Sequence, residues 1–218
     1  MALVLSLETA TRNCSVGLSR DGETIALKEH AGQGYEHAEK LHLFIQNVLN
    51  EARVSFTDLD AIAVSRGPGS YTGLRIGVSA AKGLCVALDK PLITIDTLQV
   101  LAAAAKIDDG IIIPMIDARR MEVYCAAYDG KSNQISPSEA LILEAGSFDR
   151  FSGNLYFVGD SNVKAQTVLN DGRFHFLDGI EFPSAHEMSW LAYDKFVKGQ
   201  IEDVAYFEPF YLKDFKTS

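Results

Sequence analysis

Basic residues are in short supply. Lysine and arginine total 20 against 29 aspartates and glutamates, a formal charge of −9 at pH 7, and no block of the chain is basic. Nucleic-acid affinity rests largely on cations set against phosphates, so this chain is not expected to hold RNA by itself. Cysteine is scarce too. Cys14, Cys85 and Cys125 are odd in number, far apart and set in apolar text. That pattern excludes a disulfide framework and points to buried thiols in a reducing compartment. No apolar run reaches membrane-spanning length, and Ala2–Leu7 reads as a strand, not as a basic-then-apolar leader. A cytoplasmic protein with no membrane partner is expected. At 218 residues, 47% of them hydrophobic, the chain has core enough for one large domain or two lobes.

Two phosphate-binding templates are missing as well. Gly73 stands six residues after Gly67 but is followed by Leu74, not Lys-Ser/Thr, and three residues separate Gly69 from Gly73 where a dinucleotide fingerprint has two. What is present is a stretch from Gly67 to Leu88, G-P-G-S-Y-T-G-L-R-I-G followed by V-S-A-A-K-G-L-C-V-A-L. The glycines around Pro68 force a tight turn, and Ser70 or Thr72 caps a helix lasting to about Leu88. Arg75, Ser79 and Lys82 share its one polar stripe; Gly73, Gly77, Ala80 and Ala87 gather on a small-residue side. Such a helix is buried on more than one face. Its small side either packs inside the chain or invites a second helix, and the pattern leaves both readings open.

Around this stretch the chain reads in order as strands Ala2–Leu7, Cys14–Ser19 and Thr24–Glu29, then a helix from about Tyr35 to Ala52. Strand Ala61–Val64, the glycine-rich helix, strand Pro91–Ile95 and a helix from Asp96 to about Lys106 follow. Three antiparallel strands, helix, strand, helix, strand, helix is the order of one actin-like (ASKHA, ribonuclease H-like) lobe, an α/β arrangement of a mixed sheet with flanking helices. The order restarts at Ile111–Ile116 and Glu122–Tyr128, then loosens. Strands Leu155–Val158 and Phe174–Leu177, a short helix Ser161–Leu169, and a helix capped by Ser184 and closed by Gly199 remain. Two lobes are expected, 1–106 and a reduced second copy over 107–205, with segment 206–218 joining the first.

Candidate chemistry is sparse. His37 and His42 are five residues apart, off a common helix face, and His186-Glu187-Met188-Ser189-Trp190 has Trp190 where a zinc-protease motif needs its second His. No metal site is expected. Neither a Gly-x-Ser-x-Gly elbow nor a Cys with a neighbouring His appears, so no catalytic residue is named. The strand-end turns Glu8-Thr9-Ala10-Thr11 and Asp117-Ala118-Arg119-Arg120 stand where actin-like folds clasp ATP. Glu8, Thr9, Thr11, Asp117 and Arg119 could then line a vestigial nucleotide cleft, with Arg119 on a phosphate. Both turns lack the glycine that lets backbone N–H groups reach phosphate, which favours strand-end residues of a fold that has lost its ligand.

Leu5-Ser6-Leu7-Glu8-Thr9-Ala10-Thr11 and the Gly67–Gly77 motif, continued by Asp117-Ala118-Arg119 with Glu122-Val123-Tyr124, Pro183-Ser184-Ala185 and Glu208-Pro209-Phe210-Tyr211-Leu212, together resemble the TsaB (YeaZ) family of bacterial tRNA threonylcarbamoyladenosine biosynthesis proteins. The likeness spans nearly the whole chain. Its glycine motif is shared with the catalytic relative TsaD, but the metal-binding His pair and longer second lobe of TsaD are missing here. Glu8 stands where many relatives have Asp. The resemblance implies a non-catalytic scaffold or activator subunit that pairs with TsaD and works with the ATPase TsaE to place a threonylcarbamoyl group on an adenosine beside the tRNA anticodon. It implies no cofactor on this chain, ATP used by the complex, tRNA reached only through the complex, and a homodimer when isolated. Pairing through the first-lobe helices would use Tyr35, Leu43, Phe44, Gly73, Ile76, Gly77, Ala80 and Leu84. An actin-like ATP-binding phosphotransferase and a peptidase of the glycoprotease-like superfamily are the competing readings.

Overall fold

The structure, a computed structural model, describes residues 1–32, 34 and 36–213. The chain divides into two compact units, residues 1–97 with 184–210 and residues 98–183 with 211–218.

In the first unit β1 (Leu3–Glu8), β2 (Asn13–Arg20) and β3 (Glu23–Ala31) form an antiparallel meander, and β4 (Ala61–Gly67) and β5 (Leu92–Asp96) extend it in parallel, in the order β3-β2-β1-β4-β5. β1 is central and every residue in it is buried, so both of its faces are covered. The period-2 alternation decides what each face meets. Leu3, Leu5 and Leu7 join Val16 and Leu18 in a core with Leu41, Ile45 and Val48 of α1 (His37–Ala52) and Val78, Ala81 and Cys85 of α2 (Tyr71–Leu88). The other face of β1 carries Val4, Ser6 and Glu8. Ser6 pairs in register with Gly17, and a Cβ on Gly17 would stand 3.2 Å from the Ala185 Cβ.

That face is covered by the helix Ala185–Val197, which packs on β1, β2, β3 and β5. Ser184 caps it, its Oγ accepting from His186 N at 3.1 Å. The helix was expected in the second lobe, whose range 107–205 included it; it closes the first unit instead. Its buried stripe of Ala185, Met188, Leu191 and Ala192 is legible as a stripe, but small apolar residues do not say which sheet they meet. The chain then returns along β5, Glu202 N donating to Leu92 O at 2.9 Å, and reaches the β4 turn, where Phe210 N donates to Arg66 O at 2.7 Å. Gly67 has φ 115 there, and a Cβ on it would lie 2.4 Å from Phe210 O. Only glycine fits that contact.

The second unit repeats the topology. β6 (Ile111–Asp117), β7 (Glu122–Tyr128) and β8 (Gln134–Ile142) are the meander, and β9 (Leu155–Val158) and β10 (Phe174–Phe176) the parallel pair, in the order β10-β9-β6-β7-β8. One face packs Ile113, Met115, Val123, Cys125 and Phe157 against Leu143, Phe148 and Leu169. The other packs Ile112, Ile116, Ala126 and Tyr128 against Leu98, Leu101 and Ala102 of α3 (Thr97–Ala103). The first unit therefore stops at Thr97, nine residues before the expected boundary at 106. The long helices between strands are gone, and after β9 a single turn, α4 (Asn162–Ala165), replaces an 18-residue helix. The Ala185–Val197 helix is α5 in chain order.

Candidate functional site

α1 and α2 lie side by side on one face of the first sheet. Apolar residues at Leu41, Ile45, Val48 and Leu49 bury one stripe of α1. Leu43 points away from that stripe and is 56% exposed. Along α2, Leu74, Val78, Ala81 and Cys85 are buried, and Ile76, Ala80, Leu84 and Leu88 form a half-buried row at the edge of the same core, as does Phe44 of α1. Between the helices runs an open groove of about 310 Å³ lined by His42, Leu43, Ile45, Gln46, Phe56 and Leu84. Of the residues expected to face a partner, Leu43, Phe44, Ile76, Ala80 and Leu84 thus retain exposed surface. Tyr35 lies outside the described residues.

Gly73 and Gly77 do not belong with them. Both are buried, and they are glycine for a reason internal to the chain. A Cβ on Gly73 would sit 2.1 Å from Thr9 O, and one on Gly77 2.2 Å from Thr9 Oγ1. Gly69 makes the same approach to Ala10 O at 2.4 Å. The turn after β1 is pressed onto the first two turns of α2, and of the two readings of the small side, packing within the chain holds for these glycines.

This contact also fixes the fate of the first strand-end turn. Ser70 N donates to Ala10 O at 2.7 Å, Ser70 Oγ caps Gly73 N at 3.3 Å, and Thr9 Oγ1 donates to Gly73 O at 2.8 Å. Ser70 N and Gly73 N, at the start of α2, are thereby engaged by the chain itself. Glu8 is wholly buried. Its Oε1 accepts from Ala10 N at 2.6 Å, while its Oε2 has no hydrogen-bond partner. Burial pushes the carboxyl up to about 7, only partly offset by the Ala10 amide and the neighbouring Ser65 hydroxyl. Thr9 and Thr11 are buried as well, and Thr11 O lies 2.8 Å from His37 Nε2.

The second strand-end turn has another chemistry. Asp117 is exposed at the end of β6, and its Oδ1 accepts from Arg119 N at 3.2 Å and from Lys164 Nζ. Lys164 Nζ also donates to Arg120 O at 3.0 Å and Glu122 O at 2.6 Å, so one ammonium ties the whole hairpin. Asp117 N donates to Asp160 Oδ1 at 2.8 Å, and burial, with the charge of Asp117 adding to it, pushes the Asp160 carboxyl up to about 6. Arg119 and Arg120 are exposed with φ of 75 and 52, a left-handed backbone that costs a non-glycine residue roughly 1–2 kcal/mol. Asp160 and Lys164 escaped the sequence reading. The signal was there in the repeat: Gly159-Asp160-Ser161-Asn162 follows β9, the fourth strand of its unit, as Pro68-Gly69-Ser70 follows β4, the fourth strand of the other.

Elsewhere the reactive side chains are occupied or shut away. His37 is buried and His42 exposed, His186 Nδ1 meets Thr24 Oγ1 at 3.0 Å, and all three cysteines are buried and free. Burial pushes the thiols of Cys14 and Cys85 up to about 11 and that of Cys125 to about 12. Among the described residues no group of three or more His, Cys, Asp or Glu is placed to hold a metal ion, and no helix is long and apolar enough to cross a membrane.

The family model described as TsaD, tRNA N6-adenosine threonylcarbamoyltransferase, matches residues 31–208. The tRNA threonylcarbamoyladenosine biosynthesis protein TsaB of Escherichia coli K12 is 33% identical, the match covering 97% of this chain and 94% of that one. The chain belongs to the TsaB (YeaZ) family. The Bacillus subtilis TsaB is 34% identical over 64% of this chain and 62% of its own length. Among solved structures, YeaZ from Pseudomonas aeruginosa superposes with a TM-score of 0.86 at 28% identity, covering 97% of this chain and all of that one. The (R)-2-hydroxyglutaryl-CoA dehydratase component A of Acidaminococcus fermentans, at 11% identity and a TM-score of 0.52 over 89% of this chain and 98% of that one, shares the fold alone. TsaB membership and the two five-stranded mixed sheets with flanking helices agree on an actin-like α/β fold.

Proposed function

We propose that this chain is a non-catalytic subunit of the cytoplasmic assembly that transfers a threonylcarbamoyl group to the adenosine beside the tRNA anticodon. In this reading it pairs with the catalytic TsaD, acts together with the ATPase TsaE, and binds no cofactor of its own. The observation that carries the reading is the α1–α2 face: a groove with Leu43 exposed at its rim and a half-buried apolar row from Ile76 to Leu88 beside it. Apolar surface gathered between two helices is what a partner helix fits. The strand-end turns support the same reading. Glu8 is sequestered, Ala10 N is spent on its carboxylate and Ser70 N on Ala10 O. The homodimer expected of the isolated chain would use the same face. Reconstituted transfer to tRNA with TsaD and TsaE tests the proposal: product should depend on added chain and fall with Leu43→Asp. Equal product without the chain would refute it.

A further inference from the structure

The β6–β7 turn carries two consecutive exposed arginines on a backbone that favours glycine or asparagine. Acids that could quench them are already taken. Asp117 is held by Lys164, and Glu122, at the far side of the turn, pairs with Lys213. Among the described residues no ion pair involves Arg119 or Arg120. Two guanidinium forks thus project from a hairpin whose other charges are matched one to one, on a chain that is otherwise acidic. A guanidinium offers its donors in the plane that a phosphate accepts.

The geometry points to Arg119 and Arg120 as a phosphate-contacting tip for the backbone of the RNA substrate, an inference that rests on the reading of the chain as a subunit acting on tRNA. A nucleotide phosphate would need the turn to offer amides. Here Ala118 N donates to Glu122 O, Glu122 N to Arg119 O, Arg119 N to Asp117 and Asp117 N to Asp160. With those amides spent, side-chain forks are what the tip has to give. That suits a polyanion whose affinity is spread over many phosphates better than a small ligand held by one nest. The tip adds contacts to an RNA held chiefly by other subunits, which accommodates the net charge of −9.

The test is the affinity of the chain–TsaD mixture for labelled tRNA as a function of salt. The variants are Arg119→Gln with Arg120→Gln and, as a charge-matched control, Arg20→Gln with Lys131→Gln. The double arginine variant should lose affinity by about tenfold and its log–log salt slope should fall by about 2, one per phosphate contact, while the control keeps most of both. Unchanged affinity and slope, or an equal loss in the control, would overturn the inference. Light scattering on the same samples reads heteromer formation separately from RNA affinity. If no heteromer forms, the subunit reading fails and the inference falls with it; a heteromer whose affinity and slope ignore the two arginines overturns the inference alone. Competition by millimolar ATP or inorganic phosphate that matches competition by unlabelled tRNA at equal phosphate would contradict an RNA-backbone site.

Discussion

The hydroxyl of Thr9 donates to the carbonyl of Gly73 at 2.8 Å, and the carbonyl of Thr9 lies 2.1 Å from where a Cβ on Gly73 would stand. One residue of the β1 turn thereby fixes both the hydrogen bonding and the side-chain size of the α2 start. Gly73→Ala drives a methyl into backbone and should cost about 3 kcal/mol or more in urea denaturation. Gly77→Ala meets only the Thr9 hydroxyl and should cost less. Thr9→Ala should then relieve Gly77→Ala but not Gly73→Ala in a double-mutant cycle. Additive losses for the Gly77 pair would show that the contact does not constrain the helix.

Glu8 makes stability depend on pH. Its carboxyl, ordinarily near 4.5, is raised by burial to about 7 in the folded chain. A raised folded value favours the protonated form, so its contribution is fully present below about pH 4.5 and is lost as pH rises through about 7. The loss is at most of order 3 kcal/mol. Glu8→Gln should leave stability at pH 5 nearly unchanged and raise it at pH 8. An equal effect at both pH values would mean that Glu8 is not buried as an acid.

Lys164→Met removes the one ammonium joining Asp117, Arg120 O and Glu122 O. A loss of about 1–3 kcal/mol is expected, with hydrogen exchange at the Ala118 and Glu122 amides rising first, because those bonds close the turn. Lys164→Arg should not restore it, since a planar fork does not fill a three-acceptor pocket as an ammonium does. Unchanged exchange would show that the hairpin holds itself.

All three thiols should resist alkylation in the native state and react together on unfolding, because they are buried and held as thiols well above neutral pH. Mass spectrometry after brief iodoacetamide treatment, with and without urea, reads this directly. Native labelling of Cys14, Cys85 or Cys125 would contradict the packing.

Much of this architecture was legible in the chain. The Ser70 and Ser184 caps, the opening strand and the restart of the strand order at Ile111 follow from local periodicity and cap chemistry. What was not legible has physical reasons. β8 carries Pro137 and mostly exposed residues, so it shows no alternation; proline is tolerated there because an edge strand needs no inner ladder donor. Periodicity placed Gly73 and Gly77 on one side of a helix, yet a face does not name its occupant, and Thr9 is distant in sequence. α5 was read correctly as an amphipathic helix but joined to the wrong sheet for the same reason. Asp117 and Arg119 do share one turn, while Lys164, which organises it, sits 47 residues past Asp117.

The measurement closest to the central claim is the light-scattering mass of this chain, alone and mixed with a TsaD subunit, for the native sequence and for Leu43→Asp. Leu43 is 56% exposed, so the substitution should leave stability within about 0.5 kcal/mol. A discrete heteromer should form at the expense of the homodimer, and assembly should be at least about 30-fold weaker with Leu43→Asp. Two unchanged peaks in the native mixture, or a heteromer indifferent to Leu43→Asp, would contradict pairing through the α1–α2 face.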